Sequence, residues 1–213
     1  MNLIISSHEQ GSEDWLNDRL GRATGSRAGD ILAKGKTKGS EAVTRRNYRF
    51  QLALERITRK QQGQVFVNDA MARGTLLEPL ARQAYELHSG NLVKEAGFCY
   101  PEDTEHFGCS VDGFVDDDGL IEIKCPSAPI HYGYLEDGVV PINYKGQILH
   151  NLMTTGRAWA DFVSYSPDFP EKLQLFIVRY HVDGNELVDY KTELDQFLVD
   201  VENLTNDILR KAA

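Results

Sequence analysis

An α/β fold with a central mixed β-sheet flanked by helices is the class this sequence predicts, and three observations carry it. Apolar stripes at helical spacing lie near both ends of the chain, short β-rich segments fill its middle, and a helix-length segment at 142–155 interrupts those strands. The predicted order is helices, three strands, a helix, two strands and a closing helix, with no internal repeat or low-complexity tract. A chain of 213 residues with 41% hydrophobic content can bury one full core. One domain over 1–213 is therefore expected, with a helical N-terminal region at 1–90 and the core proper at 91–213.

After the apolar start Met1-Asn-Leu-Ile-Ile, Glu13 to Leu20 and Ser26 to Ala33 read as two brief helices separated by Gly21 to Gly25. Ser26 is the expected N-cap of the second. Gly35-Lys-Thr-Lys-Gly39 is a basic loop that lacks the phosphate-loop pattern of an ATP site. Ser40 to Lys60 has the length and composition of a long helix with arginines along its exposed side. Asn68 to Leu87 is the next helix, on which Leu76, Leu80, Ala84 and Leu87 recur at helical spacing and Pro79 is expected to distort or restart the turn. Strand-like pieces follow at Leu92 to Tyr100, Gly108 to Phe114 and Leu120 to Lys124. Ile142 to Thr155 is helical, with Ile148, Leu149 and Leu152 facing the core, and strands return at Ala158 to Tyr165 and Leu173 to His181. Asp183-Gly-Asn185 marks a turn, beyond which Leu194, Phe197, Leu198, Val201, Leu204 and Ile208 trace one broad apolar helix face.

Composition excludes several classes. No apolar stretch reaches the roughly 18 residues of a membrane span, and the start lacks a basic leader, so neither a membrane protein nor secretion is expected and the cytoplasm is the default. Cys99, Cys109 and Cys125 are odd in number and not spaced as a zinc cluster, which leaves them as reduced, near-core thiols. A net charge of -9 argues against non-specific coating of nucleic acid. The distribution is uneven, however: residues 19–60 carry twelve Lys or Arg against three acids, and 181–213 carry eight acids against three bases. Such a chain either confines a phosphate backbone to one basic groove or simply solvates ordinary helix surface.

The chemistry concentrates in Ser110-Val-Asp-Gly-Phe-Val-Asp-Asp-Asp-Gly-Leu-Ile-Glu-Ile-Lys124. Strand alternation in Ile121 to Lys124 sends both isoleucines to one face and Glu122 and Lys124 to the other. Asp112 reaches the same point if Asp116 to Gly119 reverses the chain as a hairpin turn. Two carboxylates converging on one point form a hard oxygen site for Mg²⁺ or Mn²⁺, and a neighbouring lysine can hold a water or steady charge on a phosphate, which is the pattern of a metal-dependent nuclease. Glu78 and Gln147 complete the constellation. The bland alternative is a solvent-facing hairpin with incidental charges.

Four ordered motifs extend this reading: Trp15-x-x-x-Arg19 with Thr24-Gly-Ser26; Gly74-Thr-Leu-Leu-Glu78-Pro; Ser110-x-Asp112 with Glu122-Ile-Lys124; and Tyr144-Lys-x-Gln147. Together they resemble the lambda-exonuclease-like, YqaJ-type viral recombinase nucleases of the PD-(D/E)xK superfamily, over most of the chain. The resemblance implies a restriction-endonuclease-like core and digestion of linear double-stranded DNA from its 5′ ends to 5′-mononucleotides, leaving a 3′ single strand. It implies two Mg²⁺ per site, with Mn²⁺ also active, held by Asp112, Glu122 and the Ile123 carbonyl, with Glu78 assisting. Lys124 would orient or deprotonate the water, and Gln147 would position water or substrate. Arg19, Ser26 and Ser110 would bind the 5′-terminal phosphate; on the residues alone, Arg19 reads as a surface arginine and Ser26 as a helix cap. Lys36, Lys38 and Arg45, extended by Arg46 and Arg49, would contact the DNA backbone, and Met71 would be either an apolar wedge at the terminal base pair or a core filler. His150, one turn after Gln147, reads as structural. The resemblance further implies a homotrimeric ring around DNA and a single-strand annealing protein as partner. An endonuclease of the same superfamily, or a DNA-binding or assembly module with a disused site, are the competing readings.

Overall fold

The computed structural model describes residues 2–37, 39–62 and 69–212. Strand β1 (Leu3–Ile5) precedes α1 (Glu13–Arg19), whose N-cap Ser12 accepts the Trp15 amide at 3.2 Å. Strand β2 (Ala23–Thr24) runs into a single 3-10 turn at Gly25–Arg27, then α2 (Ala28–Leu32), α3 (Val43–Thr58) and α4 (Asp69–Ser89). The middle of the chain holds β3 (Val93–Lys94), β4 (Phe98–Pro101), β5 (Phe107–Ser110), β6 (Gly113–Val115) and β7 (Gly119–Lys124). Helices α5 (Ala128–Asp137) and α6 (Ile142–Thr155), strands β8 (Trp159–Tyr165) and β9 (Leu175–His181), and the long helix α7 (Gly184–Ala212) complete it.

Among the described residues the strands form two sheets. One has four strands in the order β1-β4-β5-β2, with only β2–β5 parallel. The other has five in the order β3-β6-β7-β8-β9, with only β7–β8 parallel, so the mixed α/β character expected from the sequence holds while the single central sheet becomes two. The segment expected as one strand at 92–100 divides between the sheets, and so does the one at 108–114. The first divides beside Gly97, where a Cβ would stand 2.3 Å from the Ser6 carbonyl oxygen. The second divides at Val111-Asp112, so β5 belongs to one sheet and β6 to the other.

Helices cover both faces of the five-stranded sheet. Ile148 and Leu152 of α6 pack with Leu120, Phe162 and Phe114 on one face, while Ala81 and Tyr85 of α4 pack with Ile121, Ile123 and Val163 on the other. A third cluster joins Tyr48 and Leu52 of α3 to Leu194, Phe197 and Val201 of α7. The N-terminal region thus contributes two strands as well as helices.

Four local expectations change. Helix α4 buries Leu77, Ala81 and Tyr85, leaving Leu76 75% and Leu87 81% exposed, because small Ala81 lets the helix approach the sheet and the Tyr85 hydroxyl donates to Asp161 at 2.8 Å. The helix also runs unbroken through Pro79, which removes a single backbone donor while the packed face on either side holds its course. Helix α5 lies where no element was expected; its Pro129 sits in the first turn, where proline is tolerated. Asp183 opens α7 rather than a free turn, its carboxylate accepting the Asn185 amide at 2.7 Å and its carbonyl the Leu187 amide at 3.0 Å. No helix among the described residues is long and apolar enough to cross a membrane. All three cysteines are free, with Cys99 and Cys109 buried opposite each other on β4 and β5.

Candidate active site

The β6–β7 hairpin closes through Asp116 to Asp118, with Asp116 in the left-handed region at φ 49° and Val115 paired to Gly119. Arg157 clasps this turn, donating to the carbonyls of Asp116 at 2.9 Å, Gly119 at 2.8 Å and Val115 at 3.3 Å. The turn brings Asp112 beside β7, where its carboxylate accepts the Ile123 amide at 2.6 Å.

Alternation along β7 then separates two faces. Ile121 and Ile123 enter the α4 side of the core, and Glu122, fully buried, turns to α6 with Lys124 beside it. Gln147 donates to Glu122 Oε1 at 2.5 Å and Asn151 to Glu122 Oε2 at 3.1 Å, while the Lys124 ammonium pairs with Oε1. Lys124 also stands 5.1 Å from the centre of the Tyr144 ring. Glu78, on α4 and paired with Arg82 at 2.9 Å, is within electrostatic reach of Asp112 and Lys124.

Burial and mutual repulsion both act on these carboxylates. Burial pushes Glu122 up to about 7, opposed by Lys124 and reinforced by Asp112 and Glu78. Burial likewise raises Asp112, against Lys124 and the Ile123 amide, and burial followed by the Asp112 charge raises Glu78. For Lys124, burial acts downward but Glu122 and Asp112 outweigh it, so the side chain is held as an ammonium. Among the described residues no three of His, Cys, Asp and Glu are gathered as a metal would gather them; Glu122 is turned to Lys124, Gln147 and Asn151, and Asp112 to a backbone amide. The donor set nonetheless fits a hard divalent cation, since Asp112, Glu122 and Glu78 offer carboxylate oxygens within electrostatic reach of one another.

A second cluster lies two residues along the chain. The Arg19 guanidinium donates to Ser110 Oγ at 2.9 Å and to Ser26 Oγ at 3.4 Å, and stacks 4.3 Å over the Trp15 ring one helical turn earlier. Among the described residues it forms no ion pair, and burial lowers its pKa. Helix α3 fixes the segment leading into Ser26: Glu55 accepts the Gly21 amide at 3.0 Å, and the Tyr48 hydroxyl accepts the Thr24 amide at 2.9 Å. A cleft of about 320 Å³ opens here, lined by Arg19, Arg22, Ser26, Arg27, Glu55 and, from α4, the half-exposed Met71. An arginine without an ion pair, flanked by two hydroxyls at a cleft where three arginines face one glutamate, can receive an anion.

The basic loop is less uniform than its sequence. Lys36 is exposed, and Lys38 lies outside the described residues. The expectation that Arg45 meets DNA is corrected: it is 8% exposed, donates to the Ile31 carbonyl and to Asp200 at 3.2 Å, and packs over Phe197, so it joins α2, α3 and α7. Arg49 pairs with Glu41 at 2.9 Å, and Arg46 is exposed. His150 is buried between the Tyr190 hydroxyl and the Gly108 carbonyl, and burial lowers it to about 4. Sequence reasoning passed over Asn151, although its position four residues after Gln147 puts both on one helix face.

The chain's residues 14–158 match the family model of the YqaJ-like viral recombinase domain. Among solved structures, an alkaline exonuclease (LHK-Exo) from Laribacter hongkongensis is similar at a TM-score of 0.85 and 37% identity, covering 94% of this chain and 98% of that one. The same enzyme in complex with dAMP matches equally. A phage related exonuclease from Haemophilus somnus 129PT shares the fold at a TM-score of 0.63 and 16% identity, over 93% of this chain and 100% of that one. No curated protein matches the sequence.

Proposed function

The chain belongs to the YqaJ-like viral recombinase family and is a nuclease; from that premise we propose that it degrades one strand of linear double-stranded DNA from the 5′ end, in a Mg²⁺-dependent reaction that releases 5′-mononucleotides and leaves a 3′ single strand for recombination. The observation that carries this reading is the juxtaposition of an acid–lysine cluster with an arginine that makes no ion pair among the described residues: Asp112 and Ser110 stand two residues apart, one bound to β7 and the other to Arg19.

In this reading Arg19, Ser26 and Ser110 bind the terminal phosphate, and Met71 at the rim of the same cleft wedges against the terminal base pair. Asp112, Glu122, the Ile123 carbonyl and Glu78 would hold two Mg²⁺, or Mn²⁺ in their place. Bound metal supplies a water of lowered pKa and counter-charge for the departing oxygen. Gln147 fixes the rotation of the Glu122 carboxylate, and Lys124, kept charged by its acids, faces the developing negative charge on the phosphate. Lys36 and Arg46 extend the basic surface along the backbone. The complex of the Laribacter enzyme with dAMP, a mononucleotide, is in keeping with the proposed product.

We also propose a homotrimeric ring that encloses the duplex and hands the 3′ strand to a single-strand annealing protein. A net charge of -9 makes a lone open surface a weak DNA binder, and the basic 19–60 segment would line the channel. The decisive assay compares linear 5′-phosphorylated, linear 5′-hydroxyl and covalently closed circular duplexes, with Mg²⁺ or with chelator. Nucleotides should be released only from linear DNA with Mg²⁺, and cutting of closed circles would overturn the exonuclease reading. Light scattering at assay concentration should give three chains per particle; an active monomer would remove the ring while leaving the site intact.

A further inference from the structure

Asn151 is fully buried on α6 and faces both clusters at once. Its amide nitrogen donates to Glu122 Oε2 at 3.1 Å. Its amide oxygen, buried and without a hydrogen-bond partner among the described residues, points the other way, against Gly25. A Cβ built on Gly25 would stand 2.3 Å from that oxygen, and no other atom would come closer than 3.4 Å. Gly25 opens the 3-10 turn whose next residue is Ser26, and Ser26 faces Arg19.

A buried amide oxygen left unpaired is costly, and a flip of the amide would not help, since it would turn that oxygen toward the Glu122 carboxylate. The close approach of the Gly25 backbone limits how far the side chain can shift. We infer that Asn151 is a positioning residue that couples the end-binding turn to the carboxylate: Gly25 sets where the amide lies, and the amide sets where Glu122 points. This inference rests on the proposed reading of Glu122 as a metal ligand and of Ser26 as part of the phosphate pocket. Groups that hold a metal-binding side chain in place typically change metal affinity by about 10- to 100-fold when removed.

The test is calorimetric titration of the DNA-free protein with Mn²⁺, alongside single-turnover rates on 5′-phosphorylated duplex, for the native chain, Gly25→Ala, Asn151→Ala and the pair. Asn151→Ala should weaken Mn²⁺ binding by about 10-fold or more. Gly25→Ala should do the same, because its methyl group displaces the amide from Glu122. The double variant should be no worse than Asn151→Ala alone, since the methyl then occupies vacated space. Losses that multiply in the double variant, or native Mn²⁺ affinity in folded Asn151→Ala, would overturn the coupling. Asn151→Ser, smaller and still polar, carries the same comparison if Asn151→Ala fails to fold. Glu122→Ala separates the two levels: native Mn²⁺ affinity there defeats the catalytic reading itself, whereas lost affinity there beside native affinity in Asn151→Ala defeats only the positioning role.

Discussion

Replacing Arg19 with alanine should abolish discrimination between phosphorylated and unphosphorylated ends. In the structure its guanidinium meets two hydroxyls, at 2.9 and 3.4 Å, and forms no ion pair among the described residues, with Glu55 acting on it only at longer range, so its donors are open to an anion. Hydrogen bonds to a charged group contribute about 1.5–3 kcal/mol, and each 1.4 kcal/mol is about a factor of ten. The native protein should therefore start on a 5′-phosphorylated end roughly 10- to 100-fold faster than on a 5′-hydroxyl end. Arg19 also stacks on Trp15 and lies 5.7 Å from the Phe98 ring centre, so Arg19→Ala loses packing as well as charge. Damage of that kind slows both substrates alike and cancels in the ratio. Initial rates on matched duplexes at limiting enzyme give that ratio directly, and Arg19→Ala should bring it close to one. Arg19→Lys, which keeps the charge but loses the planar fork, should fall between them. Equal rates on the two ends with the native protein would refute the assignment of the pocket, and so would an unchanged ratio in folded Arg19→Ala.

Asp112→Ala, Glu122→Ala and Lys124→Ala should each lower turnover by more than about 100-fold; circular dichroism controls for folding, and a folded variant with near-native turnover removes that residue from the site. The raised carboxylates predict an unusual pH dependence of stability. Glu122 titrates near 7 in the fold against 4.5 ordinarily, so the folded state binds more protons between those values; its contribution is fully present below about 4.5 and lost as pH rises through about 7. Melting of the protein in chelator should show this decline, and Glu122→Gln should flatten it; an unchanged slope in that variant would assign the effect elsewhere. Arg157→Ala removes the donors to three carbonyls of the hairpin turn and should lower stability by about 1–3 kcal/mol, seen as a melting temperature about 3–10 °C lower; an unchanged melting temperature would show that water replaces the clasp without cost.

What could be read from the sequence divides along physical lines. The placement of Glu122 and Lys124 opposite Ile121 and Ile123 was legible because strand alternation depends on nothing beyond the strand itself, and the hairpin turn was legible in Asp116 to Gly119 for the same local reason. Helix α4 was legible but its buried face was not, because two apolar stripes run along it, 76/80/84/87 and 77/81/85, and the buried one includes Tyr85, whose hydroxyl reaches Asp161, a partner 76 residues away. Arg45 looks in sequence like its neighbours, exposed Arg46 and half-buried Arg49, and only the packing of α7 against α3 takes it inside. The division of 108–114 between two sheets was hidden too, since both halves have strand-like composition and the break is made by pairing with distant strands. Asn151 carried a spacing signal from Gln147, but its importance depends on Gly25, whose approach is tertiary.

That division of 108–114 has a consequence for how the molecule keeps measure. The chain leaves one sheet at Ser110 and enters the other at Gly113, so the group that would grip a strand's end and the carboxylate that would act on it are joined by covalent bonds rather than by a hinge. In the proposed reading such a device acts as a caliper: one jaw, Ser110 to Asp112, is fixed by that covalent joint, and the other, Arg19, is placed by α1. Substitutions elsewhere can make each bite slower or less secure, but only a change in the length of that joint, or in where Arg19 waits, would make the bite a different size.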